Sequence, residues 1–484
     1  MTKVRTRFAP SPTGYVHVGG IRTALYAYLL AKQARGQFVL RLEDTDKKRE
    51  VEGSDAHIIK SLHTLGIDYD EGPDIGGAYA PYRQSERLEH YIEWGKKLVK
   101  KGRAYADPYT PEEIRAFRSE AEQNKKAFLY RHHRPENPPE WDGTRPLRFK
   151  SEPKACAWHD AVMGDLHAGE EVIDDFVLIK SDGYPTYNFA HIIDDLEMEI
   201  SHVIRGQEFI ASTPNYLNLY EALEIDRPVL ATMPHILNET GNKKLGKRDG
   251  AKDVLDYFRD GFIEEAMLNF IASMGWNDGT EQELFSKEEL VSKFSLERVG
   301  RSGARFDEKR LIWMNGQWIK RLELSDLLKR AETFWGEAGQ KASEAERKAV
   351  LTVVQDRLKT LTDLPNLTEF FFTEPTPDWK MVDDSKQLAK VLYKNRLDLL
   401  RSAAEKLVQV SAEDWNEETL QNTLNELLTD TNTKPPVLFG LIRLALTWAP
   451  FSPGLPETMR LLGKEITLSR LQSATKSLGE ERAG

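Results

Sequence analysis

The most constraining feature of the chain is the close succession of a strand, a Gly- and Pro-rich turn and a helix near its start. Residues 4–8 form a short strand pattern, and residues 9–20 (APSPTGYVHVGG) cannot extend it because proline removes backbone donors. From Gly20 apolar side chains recur at helical spacing, and Gly36 is expected to end this helix in the left-handed conformation. Residues 38–42 alternate like a second strand. A strand–helix–strand unit of this size predicts a parallel, doubly wound sheet.

The rest of the chain divides by changes in pattern. Helical spacing recurs over residues 55–65 and 84–101, the pattern breaks up over 104–183, and the sheet pattern resumes over 186–205. Beyond residue 322 the stretches are helical and amphipathic, with breaks marked by proline. The predicted fold is α/β: a Rossmann-like doubly wound parallel sheet with an inserted α+β domain, followed by all-α C-terminal helical bundles. The predicted domains are 1–103 with 184–240, the insertion 104–183, then 241–322 and 323–484.

Composition narrows the classes of partner and compartment. The chain has 484 residues, and 67 Lys and Arg against 77 Asp and Glu give a net charge of −10, which excludes indiscriminate wrapping of nucleic acid. An RNA partner would have to meet cations gathered on one face. The single cysteine, Cys156, excludes an internal disulfide and a Cys-rich zinc site. The start lacks an apolar run, and Arg443 interrupts the late apolar stretch 437–451, so we expect a cytoplasmic protein without a signal peptide or membrane contact.

The turn over residues 9–20 has the chemistry of a phosphate cradle. A helix N-terminus offers unpaired backbone N–H groups and the positive end of the helix dipole. Gly14, Gly19 and Gly20 allow a ligand close to the backbone, and His17 is expected to donate a hydrogen bond to a phosphate oxygen. The segment does not match GxGxxG, so it gives a dinucleotide-binding fold no direct support.

A second candidate is a basic loop with four cations in six residues: Lys243, Lys244, Lys247 and Arg248. Residues 241–247 also satisfy GxxxxGK, the start of a Walker A loop. Arg248 follows, however, where that loop needs a Ser or Thr hydroxyl for magnesium, which disfavours this interpretation. Preorganised cations on such a loop would stabilise charge that develops on a triphosphate.

Taken together, the motifs resemble the class I aminoacyl-tRNA synthetases, and within them the glutamyl-tRNA synthetase family. RxAPSPTGxxHVGG is followed by RLEDTD at residues 41–46, residues 17–20 stand at the position of the HIGH signature, and 244–248 stand at that of the KMSKS signature. Gly246 departs from the usual serine there. Further matching stretches follow in the family's order: 71–88, 184–190, Asp194–Asp195 and 203–208. The resemblance covers the whole chain. Several signatures in the right order rarely agree by chance.

The resemblance implies specific site residues. Those implied for catalysis are His17, Lys244, Lys247 and Arg248. Those implied for glutamate are Arg7 and Arg205 at the carboxylates, Tyr187 at the side-chain end, and Ala9, Ser11 and Glu43 around the amino group. Those implied for ATP are His17, Gly19, Gly20, Glu208, Phe209, Ile236, Leu237 and Lys247. Arginine suits such a pocket because its planar fork binds carboxylates bidentately. His191 stands where some members have asparagine, so no ligand contact is carried over to it.

The implied reaction is ATP-dependent ligation of L-glutamate to the 3′ end of tRNA(Glu) through glutamyl-adenylate, with Mg²⁺ accompanying ATP. In the family tRNA must bind before glutamate is activated. The resemblance also implies a monomer whose residues 104–183, 241–322 and 323–484 meet the acceptor end, stem and anticodon of the tRNA. Residues 105–111 lack the cysteines that hold zinc in some members, so we expect no structural zinc. Activity on tRNA(Gln), a glutaminyl-tRNA synthetase and an inactive RNA-binding paralogue stay open as alternatives.

Overall fold

The protein is described here by a computed structural model covering residues 3–246, 252–449 and 452–480. Lys247 and Arg248, two of the expected catalytic residues, lie outside the described residues. The chain divides into an N-terminal unit, Met1–Phe258 with Glu264–Glu308, and a C-terminal unit, Arg259–Ile263 with Lys309–Gly484. The four-part division expected from the sequence stays a prediction.

The strands, in chain order, are β1 (Arg5–Phe8), β2 (Gln37–Leu40), β3 (Ala104–Ala106), β4 (Leu147–Phe149), β5 (Cys156–Asp160), β6 (Gly164–Ala168), β7 (Val177–Ile179), β8 (His202–Gly206), β9 (Val229–Met233), β10 (Ile236–Leu237) and β11 (Ala304–Arg305). The helices up to residue 321 are α1 (Val18–Gln33), α2 (Ser54–Thr64), α3 (Leu88–Lys100), α4 (Pro111–Gln123), α5 (Tyr187–Glu197), α6 (Thr213–Leu223), α7 (Val254–Arg259), α8 (Glu264–Ser273), α9 (Lys287–Lys293) and α10 (Glu308–Arg321).

The later helices are α11 (Leu324–Arg330), α12 (Glu337–Lys341), α13 (Glu344–Val354), α14 (Leu364–Phe372), α15 (Lys380–Asp383), α16 (Tyr393–Leu407), α17 (Glu417–Asp430), α18 (Pro435–Thr447) and α19 (Leu455–Glu480). Gly463, at φ +78°, interrupts the helical backbone of α19. The strand-free C-terminal region expected from the sequence is confirmed over its described residues. A core of apolar side chains from α15 to α19 stabilises this part of the C-terminal unit.

The main sheet of the N-terminal unit has the order β2-β1-β8-β9-β5-β6. Neighbours from β2 to β5 run parallel and only the edge strand β6 runs antiparallel, which confirms the Rossmann-like sheet. The expected strands at 4–8 and 38–42 and the helix between them are confirmed as β1, β2 and α1. Helix α1 is buried on nearly all sides because it packs against the sheet as well as α8 and α9.

Gly36 has a different purpose from the one expected. The residue in the left-handed conformation after α1 is Arg35, at φ +50°, and not Gly36. A Cβ at position 36 would instead collide with the carbonyl oxygen of Val4, at the start of the neighbouring strand. Gly36 therefore allows the chain to turn tightly from α1 into β2 beside β1.

The segment 104–183 contributes to two sheets. Strands β3, β4 and β7 form a separate antiparallel sheet, while the hairpin β5–β6 extends the main sheet beyond β9. The buried Asp160 anchors this hairpin, since its carboxylate accepts hydrogen bonds from the backbone N–H groups of Val162, Met163 and Thr232 at 2.9–3.0 Å and from the Thr232 hydroxyl at 2.6 Å. Four donors on one carboxylate leave it well satisfied inside the protein.

Candidate active site

A cavity of about 460 Å³ opens at the carboxyl ends of β1 and β8. In open α/β sheets this edge is where ligands bind. Its walls come from the turn after β1, the first turns of α1 and α5, the start of α2 and the segment after β8. The lining residues are Arg7, Phe8, Ala9, Pro10, Ser11, Thr13, Gly14, Tyr15, Val16, His17, Gly20, Thr23, Glu43, Ile58, Tyr187, Ile204, Arg205, Gly206, Glu208 and Phe209.

His17 caps the N-terminus of α1. Its Nδ1 accepts a hydrogen bond from the backbone N–H of Gly19 at 3.0 Å. Because Nδ1 is the acceptor, the neutral ring carries its proton on Nε2, as a donor. A Cβ at position 19 would lie 2.8 Å from Cε1 of His17, so glycine there lets the ring adopt this position. The cavity therefore combines a positive helix end with an oriented imidazole donor.

Arg7 is a fixed cation at the floor of the cavity. It is 4% exposed, and its Nε and one terminal nitrogen donate to Asp195 at 3.0 and 3.4 Å. Its other terminal nitrogen donates to the carbonyl of Ile204 at 3.2 Å. These contacts use three of the five guanidinium N–H groups and fix its plane, so two remain to meet a carboxylate.

Arg205, at the end of β8, is the second cation. One terminal nitrogen donates to the Thr213 hydroxyl at 3.0 Å, and the guanidinium lies 5.5 and 5.1 Å from the ring centres of Phe209 and Tyr216. Contact with two aromatic rings restricts its rotamers while leaving it charged. Arg7 and Arg205 together make this part of the cavity suited to an anion.

Aromatic rings support the wall beside Arg205. Tyr187 stacks between Phe209, 5.2 Å away, and His191, 4.8 Å away, and the backbone carbonyl of Tyr187 accepts from Nδ1 of His191 at 2.7 Å. Burial lowers the pKa of His191 to about 3 and raises the pKa of Tyr187, so both rings are neutral near pH 7. His191 supports Tyr187 from behind and does not line the cavity.

Glu43 brings one carboxylate into this basic environment. Its Oε1 accepts from the fully buried Arg41 at 2.9 Å, while among the described residues no hydrogen-bond donor meets its buried Oε2. Burial raises the pKa of Glu43 to about 7, against the opposing attraction of Arg41. An unsatisfied carboxylate oxygen beside a cavity is suited to a ligand with a positive, hydrogen-bonding group.

A buried ionic network holds these groups from below. Asp195 binds both Arg7 and Arg41, and Asp194 lies 3.6 Å from Arg41 and 2.8 Å from Arg87. Burial alone would raise the pKa of Asp195, but the charges of Arg7 and Arg41 hold this pKa at about 2. The Asp195 carboxylate therefore stays ionised. Removal of one member of such a network typically costs about 3–5 kcal/mol, because a charge is left buried without its partner. The sequence had marked Asp194–Asp195 only as a matching motif, with no structural purpose.

The described part of the basic loop reaches the cavity margin. Lys244 pairs with Glu208 at 3.8 Å, and Glu208 also lies 3.8 Å from Nδ1 of His235. The backbone of Lys244 also forms an antiparallel β-bridge with Leu237 in β10. Strand β10 in turn pairs in parallel with β11. This half of the loop therefore lies beside one of the residues expected at the ATP site.

The cavity brings together most of the residues expected from the sequence. Those that line it are Arg7, Ala9, Ser11, His17, Gly20, Glu43, Tyr187, Arg205, Glu208 and Phe209, whereas Gly19, Ile236, Leu237 and Lys244 do not. Residues that line it but were not expected include Thr13, Tyr15, Thr23, Ile58 and Gly206. Thr13 and Tyr15 belong to the same turn motif as His17 and could have been found there, while Ile58, in α2, had no local signal.

The described residues contain neither a cluster of metal-ligating side chains nor a helix that could span a membrane. Over residues 3–246, 252–449 and 452–480, no three His, Cys, Asp or Glu side chains lie together as a metal site would need. The expectation that the protein lacks zinc stays a prediction. Within the same ranges, each helix is too short or too polar to cross a bilayer.

Comparison with known proteins gives consistent matches along the chain. The family model described as "tRNA synthetases class I (E and Q), catalytic domain" matches residues 3–313, and the one described as "Anticodon binding domain" matches 326–475. The chain is 40% identical to a glutamate--tRNA ligase of Clostridium botulinum (strain Okra), over 97% of each chain, and 38% identical to that of Clostridium tetani, over 99% of each.

Among solved structures, the chain is similar to a glutamate tRNA ligase from Elizabethkingia meningosepticum, crystallised in complex with its amino acid. The TM-score is 0.86 at 32% identity, with 98% of this chain and 100% of that one covered. A glutamate-tRNA synthetase from Elizabethkingia anophelis gives a TM-score of 0.84 at the same identity and coverage.

Proposed function

Because the chain belongs to the class I aminoacyl-tRNA synthetases, in the glutamate--tRNA ligase family, we propose that it uses ATP to join L-glutamate to the 3′ end of tRNA(Glu). The observation that carries the proposal is the pairing, in one cavity, of two fixed arginines with a carboxylate that has an unsatisfied oxygen. Glutamate carries two carboxylates and one ammonium, so its charges complement these three groups.

Glutamate recognition follows from this complementarity. Arg7 and Arg205 bind carboxylates, with Tyr187 beside Arg205 at the side-chain end, and Glu43, Ala9 and Ser11 surround the ammonium. Glutamine would present a neutral amide to the same arginines and leave a buried charge without its partner, which is costly. This electrostatic difference is the physical basis for choosing glutamate over glutamine.

Adenylation is the first chemical step of the proposal. A carboxylate oxygen of glutamate attacks the α-phosphorus of ATP, which enters with Mg²⁺ as part of the substrate, and pyrophosphate leaves. His17, through its Nε2 proton, and the N-terminus of α1, with Gly19 and Gly20, donate to phosphate oxygens. Lys244, Lys247 and Arg248 add positive charge, while Glu208, Phe209, Ile236 and Leu237 lie toward the nucleoside. No covalent enzyme intermediate is needed, so catalysis is positioning and electrostatics.

Transfer is the second step. The 2′-hydroxyl of the terminal adenosine attacks the activated carbonyl carbon, an ester bond forms and AMP leaves. Residues 104–183 meet the acceptor end, 241–322 the stem and 323–484 the anticodon. The protein acts as a monomer in the cytoplasm, and a few side chains of the anticodon region decide whether tRNA(Gln) is charged too.

The proposal is tested by pyrophosphate exchange with tRNA(Glu) present, for the wild type, Arg205→Ala and the surface control Arg115→Ala. Arg205→Ala should raise KM for glutamate about thirtyfold or more, since a lost charged hydrogen bond costs about 2–3 kcal/mol. The control, whose side chain is 69% exposed on α4, should leave KM unchanged. An Arg205→Ala KM within twofold of wild type, or a wild type that prefers glutamine, would contradict the proposed pocket. Absence of any exchange would favour an inactive paralogue.

A further inference from the structure

Part of the cavity wall has no occupant in the reaction steps above. Thr13, Gly14, Tyr15 and Ile58 line the cavity on the side of α2, which follows β2. The groups proposed for the nucleoside of ATP, from Glu208 to Leu237, follow β8 and β9, whereas the phosphate-binding groups at the start of α1 follow β1. Because β1 lies between β2 and β8 in the sheet, the α2 wall lies on the β2 side of the cavity and the nucleoside groups lie on its β8 side.

Tyr15 is the main feature of the α2 wall. The residue is 53% exposed although it lines the cavity. One face of the ring stacks on the imidazole of His57, with the ring centres 4.4 Å apart and the planes at 24°. With one face covered and about half of the residue accessible, the ring is a surface on which a second planar group can stack.

The stack is held rigidly from behind. Nε2 of His57 lies 2.8 Å from a carboxylate oxygen of Asp253, and its Nδ1 lies 3.4 Å from the Ser61 hydroxyl. The other carboxylate oxygen of Asp253 accepts from the backbone N–H of Leu255 at 3.0 Å. A ring held by this chain of contacts loses little conformational freedom when a ligand binds, so more of the stacking energy contributes to affinity.

The turn that carries Tyr15 is also fixed to its surroundings. The Ser54 hydroxyl donates to the carbonyl of Gly14 at 2.7 Å, and the backbone N–H of Val51 donates to the carbonyl of Pro12 at 2.9 Å. Both contacts attach the turn to the start of α2. The platform is therefore built into the fold of the N-terminal unit.

We propose that Tyr15, backed by His57 and Asp253, is the stacking platform for the base of the 3′-terminal nucleotide of the tRNA. This inference rests on the proposed function, in which that nucleotide brings its hydroxyl to the activated glutamate. The nucleoside of ATP is proposed to lie toward the groups after β8 and β9, so a base stacked on Tyr15 occupies the other side of the cavity and leaves that site to ATP. Stacking on aromatic side chains is the usual way in which proteins hold unpaired RNA bases.

The test pairs protein variants with altered tRNA. Full-length wild type, Tyr15→Ala, Tyr15→Phe and Ile75→Ala are compared in single-turnover glutamate transfer. Ile75 is a matched control, because it is 54% exposed and does not line the cavity. The substrates are tRNA(Glu) with its terminal adenosine and the same tRNA ending in a ribose without a base, which keeps both hydroxyls.

With normal tRNA, Tyr15→Ala should reduce the transfer rate constant at subsaturating enzyme by roughly tenfold to a hundredfold, the scale expected for loss of one base–aromatic stack. Tyr15→Phe and Ile75→Ala should stay within twofold of wild type. With the baseless tRNA, wild type and Tyr15→Ala should become equal within twofold, because nothing remains to stack. Asp253→Asn, which loosens the support, should show a smaller loss with the same dependence on the base.

Equal losses for Tyr15→Ala with both tRNAs would overturn the inference. A selective rise in the KM of Tyr15→Ala for ATP, measured by pyrophosphate exchange, would also overturn it and would assign the platform to the adenine of ATP. Failure of the proposed function is recognised separately, since wild type would then transfer no glutamate to normal tRNA.

Discussion

The ionisation of Glu43 gives a quantitative prediction for glutamate binding. Burial raises the pKa of this carboxyl to about 7, and the groups around it are Arg41, Arg7 and Asp195. In the pocket we propose, the ammonium of glutamate needs Glu43 in its ionised form, because a protonated carboxyl supplies no counter-charge. Below pH 7 Glu43 is mostly protonated in the free protein, so glutamate binding must release that proton and is weaker. Above pH 7 Glu43 is already mostly ionised, and binding is not penalised in this way.

The expected magnitude follows from this linkage. Relative to its plateau at high pH, the Kd for glutamate should be about twofold higher at pH 7 and roughly tenfold higher at pH 6. His191, whose pKa is about 3, stays neutral over this range and adds no slope. Isothermal titration calorimetry in buffers of different ionisation enthalpy should detect release of about 0.9 proton on binding at pH 6 and about 0.1 at pH 8.

Two controls make the measurement specific. Glu43→Gln should bind glutamate weakly at all pH values and lose the slope, because its side chain does not titrate. The affinity for ATP should change less than twofold over the same pH range. If the wild-type Kd for glutamate is constant between pH 6 and 8, Glu43 is not the counter-ion of the ammonium.

Three further substitutions test the cap of α1, the basic loop and the β5–β6 hairpin. Gly19→Ala should lower kcat for pyrophosphate exchange tenfold or more, because the new Cβ displaces the ring of His17. The control Gly300→Ala, where a Cβ has ordinary contacts, should have no effect, and equal activities of the two variants would contradict the cap geometry. Lys247→Ala should reduce the adenylation rate about a hundredfold with little change in glutamate affinity, and an unchanged rate would remove Lys247 from the site. Asp160→Ala should lower the free energy of unfolding by about 2–5 kcal/mol in denaturant titrations, because buried donors lose their acceptor, and a change below about 0.5 kcal/mol would show that the hairpin is held otherwise.

The sequence predicted the elements whose signal is local. Strand β1, the turn and α1 follow from apolar spacing and from the Gly and Pro content of residues 9–20, and the pocket residues on them were found through the same motif. Helical spacing beyond residue 322 was equally informative, because amphipathic helices bury a face that recurs every three or four residues.

Features that depend on distant contacts were not predicted. Gly36 is required by the carbonyl of Val4 across the turn, and the place of β5–β6 in the main sheet depends on Asp160 meeting a strand about 70 residues later. The buried pairs of Asp194 and Asp195 with arginines likewise join residues more than a hundred positions apart. Spacing within one segment carries no information about such contacts.

We propose that this cavity selects glutamate and that the protein transfers it to tRNA. The most direct measurement is ATP-dependent charging of purified tRNA(Glu) and tRNA(Gln) by the full-length protein, with labelled glutamate and, separately, labelled glutamine. We expect labelled glutamyl-tRNA(Glu) and AMP in equal amounts, no labelled product from glutamine, and loss of charging when Arg205 is replaced by Ala. Glutaminyl-tRNA as the product, or glutamyl-tRNA formed equally well by Arg205→Ala, would contradict the proposal.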